Sequence, residues 1–212
     1  MAQRLLAGPT VEPVTLAEAK AFLRLESNSP ETAEDALVTS FIVAARQWAE
    51  GVTRRAFVLQ TWAYTLPAFP PICHPDRSRY DGDEIDLPLG RCLGVQSITY
   101  VDTDGTLRTL GGPSSSPTVT AAFRETLISD QGGVALPAWG ETWPATRDDE
   151  PAAVTVTFRA GYGPAASDVP ASIRTAILYR VADLYEHRGS QDGAWTSIAT
   201  DTLHPYALRA FD

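Results

Sequence analysis

Several residue types that mark particular functions are scarce in this sequence. Its 212 residues include two cysteines, three histidines and a single lysine, Lys20. Cys73 and Cys92 provide no disulfide framework; they can pair, but we favour two free thiols in a reducing compartment. The net charge of −9 leaves no basic face of the kind that nucleic-acid binders present. No apolar run is long enough for a signal peptide or a membrane span, so we expect a soluble protein that is made in a cytoplasm and does not contact a membrane.

The sequence also lacks a motif that would define catalysis or metal binding. The patterns of a nucleophile elbow, a P-loop, a zinc protease and a dinucleotide-binding turn are all missing. Cys73, His74 and Cys92 have neither the spacing nor the fourth ligand of a zinc site. The carboxylates of residues 81–86 lack the spacing of a calcium loop, and we interpret them as an exposed acidic loop. We therefore predict a protein that is not an enzyme and that uses no metal or cofactor.

Two long helices are predicted, far apart in the sequence. The first covers residues 30–55, where apolar residues recur at steps of three and four. The second starts at the Ser167–Asp168 cap and ends near Gly189. A shorter helix follows Thr15, which can form a capping box with Glu18. Because each long helix has an apolar face to bury, we expect the two to pack against each other. The apolar stripe predicted for the first helix consists of Ala33, Leu37, Phe41, Ala44, Trp48 and Val52.

The residues between the two long helices have β-strand patterns. In residues 153–160, Val154, Val156 and Phe158 alternate with polar residues, which predicts a half-buried strand. Asp104–Gly105 favours a tight turn, and the sequences on either side of it predict a β-hairpin. Strands are predicted at 57–66, 85–87, 95–102, 107–110, 119–123, 134–136 and 153–160.

These elements predict an α+β fold in which packed α-helices are interrupted by a β-rich insertion. The helical domain would comprise residues 1–56 and 164–200, and the insertion would comprise residues 57–163. Residues 201–212 would form a short C-terminal tail with spaced apolar residues.

Five stretches of the sequence follow one another in a specific order. They are PVTLAEAKAFLRLE, then EDALVTSFIVAARQWAEGVTRRAFVLQTW, then the hairpin SITYVDTDGTLRTL, and finally VTVTFRAGYG followed by VPASIRTAILYRVADLYEHRG. Together they span residues 13–189 and resemble the head–tail connector (adaptor) proteins of tailed bacteriophages and gene transfer agents. The pattern that carries the resemblance contains no catalytic residue.

The resemblance implies a structural role at the head–tail junction of a virion. Such proteins form a ring, typically of twelve subunits, beneath the portal protein. The ring extends the DNA channel and provides a platform for the tail, a stopper protein or a tail terminator protein. Double-stranded DNA passes through its lumen without sequence-specific binding. The acidic net charge suits such a channel because like charges repel phosphates, although an ordinary solvated acidic surface explains the charge equally simply.

The resemblance also implies two sets of contact residues. The C-terminal tail commonly reaches the portal in such proteins, although it can instead dock on its own subunit. Exposed positions on the first long helix would meet a neighbouring subunit; these are Arg46, Gln47, Glu50 and Arg54. The expected portal-binding residues are Leu203, His204, Pro205, Tyr206, Leu208, Arg209 and Phe211.

A second interpretation is a virion-associated module that binds or hydrolyses carbohydrate. Its binding surface would use the loop tryptophans Trp139, Trp143 and Trp195. Hydrolysis would need a pair of carboxylates, for which the neighbouring acidic residues 83–84 and 148–149 are candidates. Neighbouring carboxylates in loops more often face solvent, so we favour the structural role.

Overall fold

The computed structural model describes residues 1–25, 33–70, 83–111, 123–128, 132–138, 140–187 and 194–208. The chain divides into two compact units, of which the first comprises Met1–Gly8 and Gln60–Gly161 and the second Pro9–Leu59 and Tyr162–Asp212. The strands of the described residues lie in the first unit and the helices in the second, which confirms the predicted α+β class.

Two antiparallel sheets make up the first unit. The larger sheet has the strand order β1-β2-β8-β4-β5, and the smaller sheet has the order β3-β7-β6. The strands are β1 (Ala2–Ala7), β2 (Gln60–Leu66), β3 (Ile85–Leu87), β4 (Cys92–Val101), β5 (Leu107–Leu110), β6 (Phe123–Ile128), β7 (Gly132–Pro137) and β8 (Val154–Ala160).

The central strand β8 and the β4–β5 hairpin form as their sequences predict. Val154, Val156 and Phe158 are fully buried, and the polar residues between them are not. In the hairpin, the Asp102 carboxylate accepts the backbone N–H groups of Asp104 and Thr106 at 2.9 and 3.1 Å. A hydrogen bond from Arg108 is the main cause of a lowered pKa of Asp102. The charged carboxylate therefore fixes the turn.

Three boundaries in the first unit differ from the predicted ones. Residues 1–8 were assigned to the helical domain, but β1 pairs with β2 and so belongs to the sheet unit. The strand predicted to start at residue 57 starts at Gln60, because Phe57 and Val58 are buried in the core of the helical unit. The strand predicted at 119–123 is found as β6 from Phe123, and residues 119–122 lie outside the described residues.

The second unit is built from helices around one hydrophobic core. The two long helices, α2 and α3, pack against each other as predicted. None of the helices in the described ranges is long and apolar enough to cross a membrane. The helices are α1 (Leu16–Phe22), α2 (Ala33–Thr53), α3 (Ala171–Glu186) and α4 (Ala194–Leu203).

The buried face of α2 is rotated from the predicted one. Its centre is formed by Val38, Ile42, Ala45 and Ala49, which are at most 2% exposed. The predicted stripe residues Leu37, Phe41, Trp48 and Val52 are only half-buried at the edge of this face, and Ala44 is exposed. Both sets recur at helical spacing, so periodicity alone could not choose between them.

The last part of the chain contains a helix where a polar connection was predicted. Helix α4 crosses the predicted boundary at residue 200, and its Ala199 and Leu203 are fully buried in the core of the second unit. Helix α3 begins three residues after Asp168, and Ser167 and Asp168 lie in a short 3-10 turn before it. Gly189, the predicted end of α3, lies outside the described residues.

The predicted capping box at the start of α1 is confirmed. The Thr15 backbone N–H donates to the Glu18 carboxylate at 2.8 Å, and the Glu18 N–H donates to the Thr15 hydroxyl at 3.2 Å. Arg174 of α3 bonds to Glu18 and, at 2.9 Å, to the carbonyl of Pro13. The Thr15 backbone bond is the main cause of a lowered pKa of Glu18. This carboxylate therefore joins α1 to α3.

We expect Gly51→Ala to raise the free energy of unfolding by about 0.5–1 kcal/mol, because Ala fits a helix interior better than Gly. A Cβ at Gly51 of α2 would meet no atom within 4 Å. The matched variant is Gly133→Ala in β7, where a Cβ would lie 2.6 Å from the Cβ of Cys92 and should destabilise the protein. Urea unfolding of both variants is the measurement, and a destabilised Gly51→Ala would contradict the helix packing described.

We expect Glu18→Gln to lower stability more at pH 7 than at pH 3. A carboxylate with a lowered folded-state pKa stabilises the native state above its unfolded pKa and loses that effect as the pH falls through the folded value. The pKa of Glu18 is lowered from 4.5, so the loss falls in the acidic range below that value. Chemical unfolding at both pH values, with Glu141→Gln as the exposed control, measures the difference. Equal destabilisation at both pH values would argue against this role of the charge.

Candidate interaction surfaces

Arg46 is the centre of a buried ion-pair network in the second unit. Its Nε and Nη1 atoms each lie 2.7 Å from a carboxylate oxygen, of Glu12 and Glu50 respectively. The other oxygen of Glu50 accepts the backbone N–H of Phe57 at 3.0 Å. Burial opposes the charge of Arg46, but its hydrogen bond to Glu12 and the attraction of both carboxylates outweigh the effect of burial and raise its pKa. The network ties the segment before α1 and the segment after α2 to the middle of α2.

The predicted subunit-interface residues are therefore divided between the interior and the surface. The prediction treated Arg46 and Glu50 as exposed, and this is corrected: Arg46 is 6% exposed, and both side chains are engaged within their own unit. Gln47 and Arg54 are exposed. Arg54 directly follows α2 with φ 55°, and the next N–H, of Arg55, donates to the carbonyl of Glu50. Gln47 and Arg54 are thus the two predicted residues that remain available for contact.

The predicted portal-binding residues are also divided between buried and exposed positions. Leu203 is fully buried at the end of α4, whereas His204 and Pro205 are exposed. Tyr206 and Leu208 are half-buried; the backbone carbonyl of Tyr206 accepts from Arg55 Nε, and the N–H of Leu208 donates to the Thr53 carbonyl at 3.0 Å. The segment thus lies on its own subunit as far as residue 208. Arg209 and Phe211 lie outside the described residues.

Half-buried aromatic side chains lie along the edge of the packed helices. The guanidinium of Arg180 on α3 lies 5.2 Å from the ring centre of Trp48 on α2. Phe22 at the end of α1 meets Tyr179 edge to face at 5.7 Å and is 38% exposed. Sequence periodicity placed Trp48 in the core stripe. In the structure its side chain is only half-buried and lies beside Arg180, so part of the ring stays exposed.

An apolar groove, which the sequence analysis missed, lies in the second unit beside the start of α1. It has a volume of about 490 Å³. Its lining combines residues from the segment before α1, from α2 and from the segment before α3, so no single stretch of sequence reveals it. The apolar part of the lining is formed by Val11, Val14, Leu16, Ile42, Pro164, Ala165 and Ala166.

The described residues give little support to a carbohydrate site. Trp143 is 9% exposed, stacks on Phe69 at 4.7 Å and donates its Nε1–H to the Asp83 carbonyl at 2.6 Å. It is therefore part of the packing of the first unit and offers no open ring to a sugar. The carboxylate of Asp149 is paired with Arg147 at the surface. Trp139 and the side chain of Trp195 lie outside the described residues.

Of the three candidate zinc ligands, Cys92 is the one that lies in the described residues. Cys92 is a free, buried thiol, and burial raises its pKa to about 11. Cys73 and His74 lie outside the described residues. Within the described ranges, no three histidine, cysteine or acidic residues are grouped so that they would hold a metal ion.

Comparison with solved structures shows which known chains have a similar fold. No protein-family model matches the sequence, and no curated protein matches it. The fold is similar to a chain in the neck of an empty gene transfer agent particle computed with C6 symmetry, with a TM-score of 0.76 and 21% identity. The alignment covers 99% of this chain and 96% of that chain. The chain thus has the fold of a neck component, and the resemblance inferred from the sequence is confirmed at the level of the fold.

Two further structures agree with this comparison. A chain in the virion of a native gene transfer agent particle has a TM-score of 0.70 and 23% identity to this chain. A chain in the neck of a native particle computed with C12 symmetry has a TM-score of 0.68 and 20% identity. Both alignments cover 99% of this chain and 96% of the other.

We expect Arg46→Leu to destabilise the protein by about 1–3 kcal/mol, because it leaves the partly buried carboxylates of Glu12 and Glu50 without their cation. Gln47→Leu, one position along α2 and exposed, should change stability by less than about 0.5 kcal/mol. Urea unfolding measures both. If Arg46→Leu were as mild as Gln47→Leu, Arg46 would not have the structural role assigned to it.

Proposed function

We propose that this chain is a structural head–tail connector that forms a ring beneath the portal of a tailed particle. The ring extends the DNA channel and provides the attachment platform for the tail or a stopper protein. The observation that carries the proposal is the fold similarity, over 99% of this chain, to chains in two gene transfer agent necks and in a gene transfer agent virion. In this role the protein is made in a bacterial cytoplasm, lies at the head–tail junction of the virion and performs no catalysis.

The ring is proposed from the symmetry of the similar structures. Two of those necks were computed with C6 and with C12 symmetry, and either symmetry requires repeated copies around an axis. Head-to-tail contacts that repeat by rotation close into rings, and each copy then needs two different surfaces. Gln47, Arg54, the exposed part of Phe22 and the apolar groove are the candidates for these surfaces. We propose twelve copies, as in the C12 neck.

Portal contact is proposed for the C-terminal segment after Leu203. The exposed His204 and Pro205, the half-buried Tyr206 and Leu208, and the following Arg209 and Phe211 are its candidate residues. Leu203 instead anchors the segment to its own subunit, since its side chain is fully buried. A short segment tied down at one end can be ordered on a partner without unfolding the domain that carries it.

The DNA channel is proposed to be lined without a net positive charge. Most lysine and arginine side chains with assigned partners in the described residues are bonded to carboxylates of the same chain, for example Lys20 to Asp35 and Arg174 to Glu18. With 26 acidic and 17 basic residues, the chain keeps an excess of negative charge. Such a surface repels the phosphates of double-stranded DNA and lets the DNA slide. A lumen dominated by arginine in an assembled particle would contradict this part of the proposal.

The ring is tested by measuring mass by light scattering with and without the purified portal protein. We expect a multiple of the monomer mass to appear on the portal, and imaging of the assembled particle should place the chain below it. A protein that stays monomeric in the presence of portal would contradict the proposal. Monomers in the absence of portal are compatible with it, because a ring can form on its template.

Two truncations separate portal docking from stability. Deleting residues 204–212 should abolish binding to the portal and should lower the unfolding midpoint less than the longer deletion does, because Leu203 stays in place. Deleting residues 201–212 also removes the buried Leu203, and loss of a buried leucine side chain costs about 2–5 kcal/mol, so this variant should unfold at a lower temperature. Normal portal binding by the 204–212 deletion would show that the segment is not the anchor.

A further inference from the structure

Arg55 is a buried cation that has no acidic partner among the described residues. Its side chain follows α2 and is 5% exposed. Its Nε–H donates to the backbone carbonyl of Tyr206, and its Nη1 atom is buried with no hydrogen-bond partner. A guanidinium has five N–H donors, and here a neutral carbonyl is the one acceptor assigned to it. Within the described residues, the guanidinium of Arg55 therefore has unused donors and no neutralising carboxylate.

The contrast with Arg46 shows what Arg55 lacks. Arg46 is equally buried, at 6% exposed, but two carboxylates of its own chain lie 2.7 Å from its nitrogen atoms. A buried charge without a counter-ion is costly, and a planar guanidinium suits a carboxylate that accepts two hydrogen bonds. The chemistry of Arg55 thus calls for a carboxylate from outside the described part of the chain.

We propose that Arg55 is the receptor for a carboxylate of a second copy of this chain. Each copy has nine more acidic than basic residues, so carboxylates are plentiful on the surface of a neighbour. An ionised acceptor forms hydrogen bonds about twice as strong as a neutral carbonyl does, so a carboxylate competes well with the Tyr206 carbonyl. This inference rests on the proposed ring, because it names one contact between adjacent subunits.

The surroundings of Arg55 allow a neighbour to reach it. The segment that carries the Tyr206 carbonyl lies after the buried anchor Leu203, and its His204 and Pro205 are exposed. Its assigned backbone bonds to the end of α2 are the one from Arg55 Nε and the one from Leu208 N–H to the Thr53 carbonyl. The half-buried side chain of Tyr206 also packs against the core, so a shift of this short segment that opens the guanidinium moves that ring as well.

The single lysine of the chain makes a direct test possible. In a Lys20→Arg background, Arg55→Lys places the one lysine of the protein at the proposed receptor, and a zero-length carbodiimide joins its amine to a carboxylate in contact. A mixture of ¹⁵N-labelled and unlabelled protein distinguishes links between copies from links within one chain. Arg54→Lys in the same background is the matched control, because Arg54 is adjacent but exposed.

We expect mixed heavy–light cross-linked peptides that contain Lys at position 55, at several times the yield seen for position 54. Peptide mapping by mass spectrometry then identifies the carboxylate of the partner copy. In rings assembled on the purified portal protein, links within one chain only, a yield no greater than that of the control, or no link at all would overturn the proposal.

A second variant separates the contact from the fold. Arg55→Leu removes a buried charge that has no carboxylate partner, so its unfolding midpoint should stay within a few degrees of the wild type, whereas Arg46→Leu should unfold at a lower temperature. Sedimentation velocity at increasing protein concentration, or on the portal where that is needed for assembly, should show loss of self-association for Arg55→Leu. Unchanged self-association would overturn the proposal.

Normal portal-bound rings with Arg55→Leu would refute this contact alone, whereas absence of rings in the wild type would refute the proposed function.

Discussion

The helical unit depends on one buried carboxylate, that of Glu50. One of its oxygen atoms pairs with Arg46, and the other accepts the backbone N–H of Phe57. Because Arg46 also binds Glu12, a single cation and two anions connect the segment before α1, the middle of α2 and the segment after α2. The network therefore holds three separate segments of the helical unit together. The apolar core can then close around α2 and α3 with the second half of α2 already positioned.

Local signals in the sequence predicted the elements well where each was set by neighbouring residues. The Thr15 capping box, the turn at Asp104–Gly105 and the alternation in residues 154–158 depend on atoms a few positions apart, and all three were found. The Arg46–Glu50 pair is also readable as a spacing of four on a helix. The burial of Arg46 cannot be read from that spacing, because the burial also depends on Glu12, which is 34 residues distant from Arg46. Sequence reasoning therefore placed a buried cation on the surface.

The elements that were missed depend on distant parts of the chain. Residues 2–7 form a strand because β2 offers an edge nearly sixty residues later, and every residue of β1 is exposed, so no apolar alternation marks it. Helix α4 is short and half of its residues are polar, and it is held by burial of Ala199 and Leu203 against the other helices. The candidate contact surfaces also depend on residues that are far apart in the sequence. The groove, the aromatic edge and the site at Arg55 each combine residues from separate segments, so they become visible once the fold is known.

The distance between α2 and α3 along the chain has a consequence for synthesis. A ribosome adds about 5–20 residues per second, so the complete partner of α2 emerges roughly 7–27 s after α2 itself. Throughout that interval the nascent chain carries the uncovered aliphatic side chains of Val38 and Ile42 while the sheet residues are still being made. Nascent α2 is therefore a natural substrate for chaperones, and the order of translation delays closure of the helical core until the last quarter of the chain has been made.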